Sequence, residues 1–126
     1  MSESTSEPAA EAAMRQINDL LSHVWMVRTF LKHSDEAAED EELREVHRAL
    51  YDYALALGPS WDAGDVARYL KLARKKYAKL KGALELFVEI QPEVSTHTNF
   101  ATAAHSLRLA VEQIGAVLDE LQASGG

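Results

Sequence analysis

The sequence predicts an all-α fold, an antiparallel up-down-up-down four-helix bundle, and three observations predict it. Apolar residues recur with a period of about 3.6 along four long stretches, the pattern of an amphipathic helix. No stretch alternates apolar and polar residues as a half-buried strand does. The three prolines and four of the six glycines fall at or beyond the ends of those stretches, which leaves short connections and antiparallel neighbours.

The elements follow in order. Ser2 to Glu7 is small, polar and acidic, a composition that favours a flexible tail over residues 1–7. Pro8 suits the first turn of a helix, where its missing N–H is no loss. The first helix is therefore expected from Pro8 to His33, with Ile17, Leu20, Leu21, Val24, Val27 and Leu31 on its buried stripe. The second follows the segment SDEAAED, capped by Ser34 or Asp35, or by Asp40 if the loop is longer. Leu43, Val46, Leu50, Tyr53, Ala54 and Leu57 make its stripe.

Gly58-Pro59-Ser60 reads as a stop, glycine past the end and then proline. Asp62, with Asp65 three residues on, starts the third helix, since both acids favour its positive end. Its stripe is Val66, Tyr69, Leu70, Ala73, Tyr77, Leu80, Leu84, Phe87 and Val88, and Pro92 is expected to end it. Ser95, Thr96 or Thr98 caps the fourth helix. Phe100, Ala103, Ala104, Leu107, Val111, Ile114, Leu118 and Leu121 line that helix's buried face. The domain is thus 8–122, with a frayed end over 123–126.

The length suits one domain. With 47% apolar residues the chain can bury a sufficient core without disulfides or structural zinc, and it has no cysteine to supply either. No apolar run approaches the ~18 residues of a membrane span. The N-terminal sequence carries three acids and no base before Arg15, unlike a signal or transit peptide, so a cytoplasmic protein is expected. A net charge of −7 disfavours nucleic acid and anionic lipid as partners.

Charge is segregated along the chain. Seven of the thirteen bases lie between Arg68 and Lys81 with no acid among them, and seven of the twenty acids lie between Asp35 and Glu45 with one base. On the third helix Arg68, Lys71, Lys75 and Lys79 fall opposite the apolar stripe. They form either a solvated face or a docking surface for an acidic partner, including the acidic run of a second copy.

The chemical motifs of common enzymes are missing. No Glu-x-x-His pair of the kind that holds two metal ions in a bundle occurs. The five histidines do not converge, although His33, His47 and His97 fall toward one end. There is no Cys-x-x-Cys-His for haem, no phosphate-binding glycine loop and no Gly-x-Ser-x-Gly. No catalytic residue, metal or cofactor is therefore expected. Arg28-Thr-Phe-Leu-Lys-His33 resembles the Arg-x(4–6)-His motif of small helical nucleases of the HEPN kind, which would imply RNA cleavage by that pair. Thr29 stands where that family has a more polar residue. With seven Arg and five His, about 0.8 such matches arise by chance.

Two features stand out from the pattern. Arg28 lies within the apolar stripe of the first helix, and a buried guanidinium demands a carboxylate. Glu36, Glu39 and Asp40 are expected to supply it, in a polar cluster with His33 and His47. Trp25, Met26 and Phe30 make the same helix apolar around most of its girth, and such a surface reads as an interface. Leu72, Leu86, Ile90 and Leu109 also fall off their stripes. The sequence therefore points to a non-enzymatic interaction or adaptor bundle that forms a homo-oligomer. Its rival is a small enzyme or ligand-binding bundle with a polar site around Arg28, His33 and His47.

Overall fold

The computed structural model describes residues 2–94 and 98–125, with side chains described over 8–94 and 98–122. The fold is all-α. Its elements are α1 (Ser2–Lys32), α2 (Asp35–Glu39), α3 (Glu41–Ala63), α4 (Val66–Val94) and α5 (Thr98–Gly125). No strand occurs among the described residues, and no described helix is long and apolar enough to cross a membrane.

The apolar stripes become the core. Ile17, Val24 and Leu31 of α1 are fully enclosed, as are Leu43, Val46, Leu50 and Leu57 of α3. So are Tyr69, Leu80 and Phe87 of α4 and Leu107, Val111 and Ile114 of α5. Burial of each such side chain contributes roughly 1.5–3 kcal/mol, so the stripes are the main source of stability. Ile90 corrects the sequence reading: it is buried, whereas Leu109 is exposed as its position implied. Helix α1 packs chiefly on α5 and α3, and α4 on α3 and α5. Contact between α1 and α4 is slighter, so these two sit across the core from one another.

Several helix boundaries differ from expectation. The segment after α1 forms its own turn, so two of the three proposed caps, Ser34 and Asp40, are used. Ser34 Oγ accepts from the Ala37 N–H at 3.1 Å to start α2, and Asp40 Oδ1 accepts from the Leu43 N–H at 2.9 Å to start α3. Gly58-Pro59 does not stop α3, which runs on to Ala63. The stop is Gly64, the one described residue with positive φ (67°); its N–H and that of Asp65 bond back to Trp61 and Ser60 carbonyls, as a left-handed C-terminal cap does. Continuing the helix past Pro59 forfeits one backbone bond. It also buries the Ser60 hydroxyl without a hydrogen-bond partner; in return the Trp61 ring packs against Tyr69 at 6.2 Å.

Asp65, not Asp62, then opens α4, its Oδ1 accepting from the Arg68 N–H at 3.1 Å. Pro92 lies inside α4, which ends at Val94. Pro8 likewise lies inside α1, which begins at Ser2. The side chains of the proposed tail 1–7 and of the frayed end 123–126 lie outside the described residues, as do the cap candidates Ser95 and Thr96.

Three tyrosine hydroxyls reach across the core. Tyr53 Oη of α3 donates to the Ala73 carbonyl of α4 at 2.9 Å. Tyr77 Oη of α4 donates to the Val111 carbonyl of α5 at 3.0 Å. Tyr69 Oη pairs with Asn18 Oδ1 of α1 at 3.1 Å. Each bond satisfies a phenol that burial would otherwise leave unpaired, and each holds one helix to one register on its neighbour.

Candidate functional site

The expected polar cluster is only partly assembled. Arg28 is buried, 8% exposed, as its place in the stripe implied. Its partner is not a carboxylate. The guanidinium carbon lies 4.1 Å from the Trp25 ring centroid and 5.1 Å from that of Tyr51 on α3, and the two rings are 6.0 Å apart. A cation over two ring faces is held by their quadrupoles, and Arg28 thereby clips α1 to α3. Its Nη1 makes one long bond, 3.4 Å, to Thr29 Oγ1, and its Nε has no partner.

None of Glu36, Glu39 and Asp40 forms an ion pair with Arg28, which corrects the sequence expectation. The reason lies in α2. Folding residues 35–39 into a separate turn commits the Asp40 carboxylate to the Leu43 N–H and leaves Glu39 exposed. A loop would have let those acids swing back; a capped helix does not.

His47 is brought into the same region. Its pKa falls below the ordinary 6.5, first because burial disfavours the charged ring, then because Arg28, Lys32 and Arg48 crowd it with positive charge. Its Nε2 is sealed from solvent without a hydrogen-bond partner. His33 is exposed and forms no hydrogen bond with Arg28. Five residues apart on a helix, the two point roughly 140° away from each other, so the Arg-x(4)-His spacing builds no shared site. His97 lies outside the described residues. Among the described residues no group of three or more His, Asp or Glu side chains is placed to hold a metal ion.

The residues expected at an interface divide between two edges of α1. Trp25, 42% exposed, leans toward α3 and Tyr51. Phe30 leans toward α5, half-buried, its ring edge-on to Phe100 at 4.9 Å, so it belongs in part to the monomer's own core. Met26 is 65% exposed. With Phe30, Asn99, Thr102, Ala103 and Ser106 it lines an open groove of about 270 Å³ between α1 and α5 that contains no charged residue. The sequence pattern flagged the α1 side of this groove. The α5 side was missed because small uncharged residues carry no signal of their own.

Arg68, Lys71, Lys75 and Lys79 are all exposed, as the stripe geometry required. Lys79 and Lys76 also line a groove of about 520 Å³ between α3 and α4, opposite Glu45 and Asp52. Part of the basic face therefore looks onto acids of the same chain. A third groove, about 350 Å³ between α4 and α5, is bordered by Tyr77, Lys81, Glu85 and Arg108.

Comparison with protein families, with curated proteins and with solved structures gives no match.

Proposed function

We propose that the chain is a non-enzymatic interaction module, an up-down-up-down bundle that self-associates through the groove between α1 and α5. The antiparallel reading is supported by the pairs Tyr53–Ala73 and Tyr77–Val111, each joining residues about equally far from the intervening turn, and by Phe30–Phe100, which joins the end of α1 to the start of α5. The pair Asn18–Tyr69 fits two helices running in the same sense across the core. A cytoplasmic setting belongs to the same proposal.

The observation that carries self-association is the charge-free groove. In a chain that is 26% charged, an exposed strip with no charged lining residue is where water is displaced at least cost. Leu109, exposed on α5, continues the strip, because Thr102, Ser106 and Leu109 share one helix face. Small residues on α5 admit close approach of another helix, and Met26 is a side chain type enriched in interface cores. Two copies related by a two-fold axis would each place Met26 in the other's groove. The exposed bases Arg68, Lys71 and Lys75 offer a further contact to the acidic run 35–45 of a second copy or to another acidic protein.

Light scattering tests the reading. Wild type is expected to be a dimer or larger at micromolar concentration. A Met26→Glu, Thr102→Glu double variant, altered only at exposed positions, is expected to be monomeric with an unchanged helical dichroism spectrum. A wild type that stays monomeric at high micromolar concentration overturns the proposal.

A further inference from the structure

The seam between α1 and α3 holds cations without an anion. Arg28 is more than nine-tenths buried, its Nε is unpartnered, and no carboxylate pairs with it although Glu36, Glu39 and Asp40 follow just beyond the end of α1. Across the seam, His47 buries an unpartnered Nε2. Lys32, one turn beyond Arg28 on α1, and Arg48, beside His47 on α3, stand close enough for their charge to act on that imidazole. Leaving polar nitrogens sealed and unpaired costs free energy, and gathering like charges adds to that cost. The sequence contains acids enough to cancel it, and the fold does not use them here.

The aromatic rings explain how the cation is kept. Trp25 and Tyr51 border the Arg28 guanidinium on adjoining sides, which restrains it and leaves the N–H groups of its other side as donors. A fixed fork, a neighbouring imidazole and a flanking ammonium together match a ligand with several oxygens and more than one negative charge.

We infer that this seam is a binding site for the phosphate group of a small molecule, with Arg28 and His47 at its floor and Lys32 at its mouth. A single carboxylate matches one guanidinium fork, and the chain's own carboxylates are not taken up. A nucleic acid would bring many phosphates against a chain of net charge −7, whose acidic run 35–45 begins three residues after Lys32. The inference goes beyond self-association and does not depend on it, since the seam and the α1–α5 groove lie on different edges of α1.

Inorganic phosphate is the probe. Wild-type protein is titrated with it, and with chloride at matched ionic strength, while the imidazole resonances are followed; His47→Gln assigns the His47 signal. Phosphate is expected to move the His47 resonance in a saturable way and to raise its pKa, while the exposed His23 and His105 stay put. Lys32→Ala, at an exposed position, is expected to weaken binding about tenfold, the effect of one charge-assisted bond. Arg28→Met is expected to abolish binding, and should that variant not fold, Lys32→Ala decides. The inference is overturned if chloride moves His47 as far as phosphate does, if all histidines shift alike, or if Lys32→Ala binds as wild type does. Binding to vesicles of phosphatidylserine and phosphatidylcholine without any response to inorganic phosphate overturns it as well.

Discussion

Replacing Gly115 by alanine sets two effects against each other inside α5. In a helix interior the change should stabilise by about 0.5–1 kcal/mol, because glycine loses more backbone freedom on folding. The surroundings oppose it. A Cβ at Gly115 would lie 2.8 Å from Tyr77 Cζ, with Tyr77 Oη nearer still. Carbon atoms at rest sit about 3.5–4.0 Å apart, so the ring must retreat by roughly 1 Å. The retreat breaks the 3.0 Å bond from Tyr77 Oη to the Val111 carbonyl, the same carbonyl that the Gly115 N–H reaches in the helical pattern. The ring has somewhere to go, since Tyr77 borders the open groove between α4 and α5. Overpacking strain of about 1–3 kcal/mol is thereby relieved in part, and together with the lost bond, about 0.5–1.5 kcal/mol for a half-buried phenol, it outweighs the gain.

The net expectation for Gly115→Ala is a loss of about 1–2 kcal/mol, a fall in Tm of roughly 4–8 °C for a chain of this size. Gly82→Ala and Gly58→Ala, whose Cβ atoms would meet nothing within 4 Å, are expected to melt at or above the wild-type temperature. Tyr77→Phe in the Gly115→Ala background removes the nearest atom but leaves the ring carbon, so it should recover the loss only in part. Thermal unfolding followed by dichroism measures all four. A Gly115→Ala protein as stable as Gly82→Ala would show that Tyr77 does not pack on Gly115, and would refute the reasoning.

Two further perturbations test other parts of the structure. Arg28→Ala should destabilise by about 1–3 kcal/mol through lost ring contacts and stem packing, less than the 3–5 kcal/mol typical of breaking a buried ion pair; Arg28→Lys should recover only part of it, and denaturant titration of both decides. Stability should also decline on both sides of neutrality, as urea midpoints against pH would record. On the alkaline side, burial raises the Tyr53 and Tyr69 phenols above their ordinary 10.0, so the folded state keeps protons that the unfolded chain releases and stability falls above about pH 10. On the acid side, burial and neighbouring cations lower His47 below 6.5, so the unfolded chain gains a proton first and stability falls as pH drops below that value. Tyr53→Phe and Tyr69→Phe should flatten the alkaline limb, and His47→Gln the acid one; limbs unchanged by these substitutions would contradict the assignment.

The amino-acid sequence determined which side of each long helix is buried. Ile17, Val24, Leu43, Leu50, Tyr69, Phe87, Leu107 and Ile114 were legible because a helix repeats its faces every 3.6 residues or so, and that repeat is local. Exposure of the basic row on α4 followed from the same geometry, and Arg28 was marked for burial by its place among apolar neighbours. What Arg28 meets was not legible. The acids of 35–40 looked available, but Asp40 is spent on a cap and Tyr51 arrives from another helix, and arrival across a seam depends on register, which one helix's pattern does not contain. The same holds for Pro59, where a local stop signal was overridden and continuing the helix brings Trp61 onto Tyr69. It holds for the α5 side of the charge-free groove, where Thr102, Ala103 and Ser106 mean something only beside Met26. Periodicity is a property of one helix, whereas a partner, a groove or a close approach such as Tyr77 on Gly115 is a property of two, and only their packing decides it.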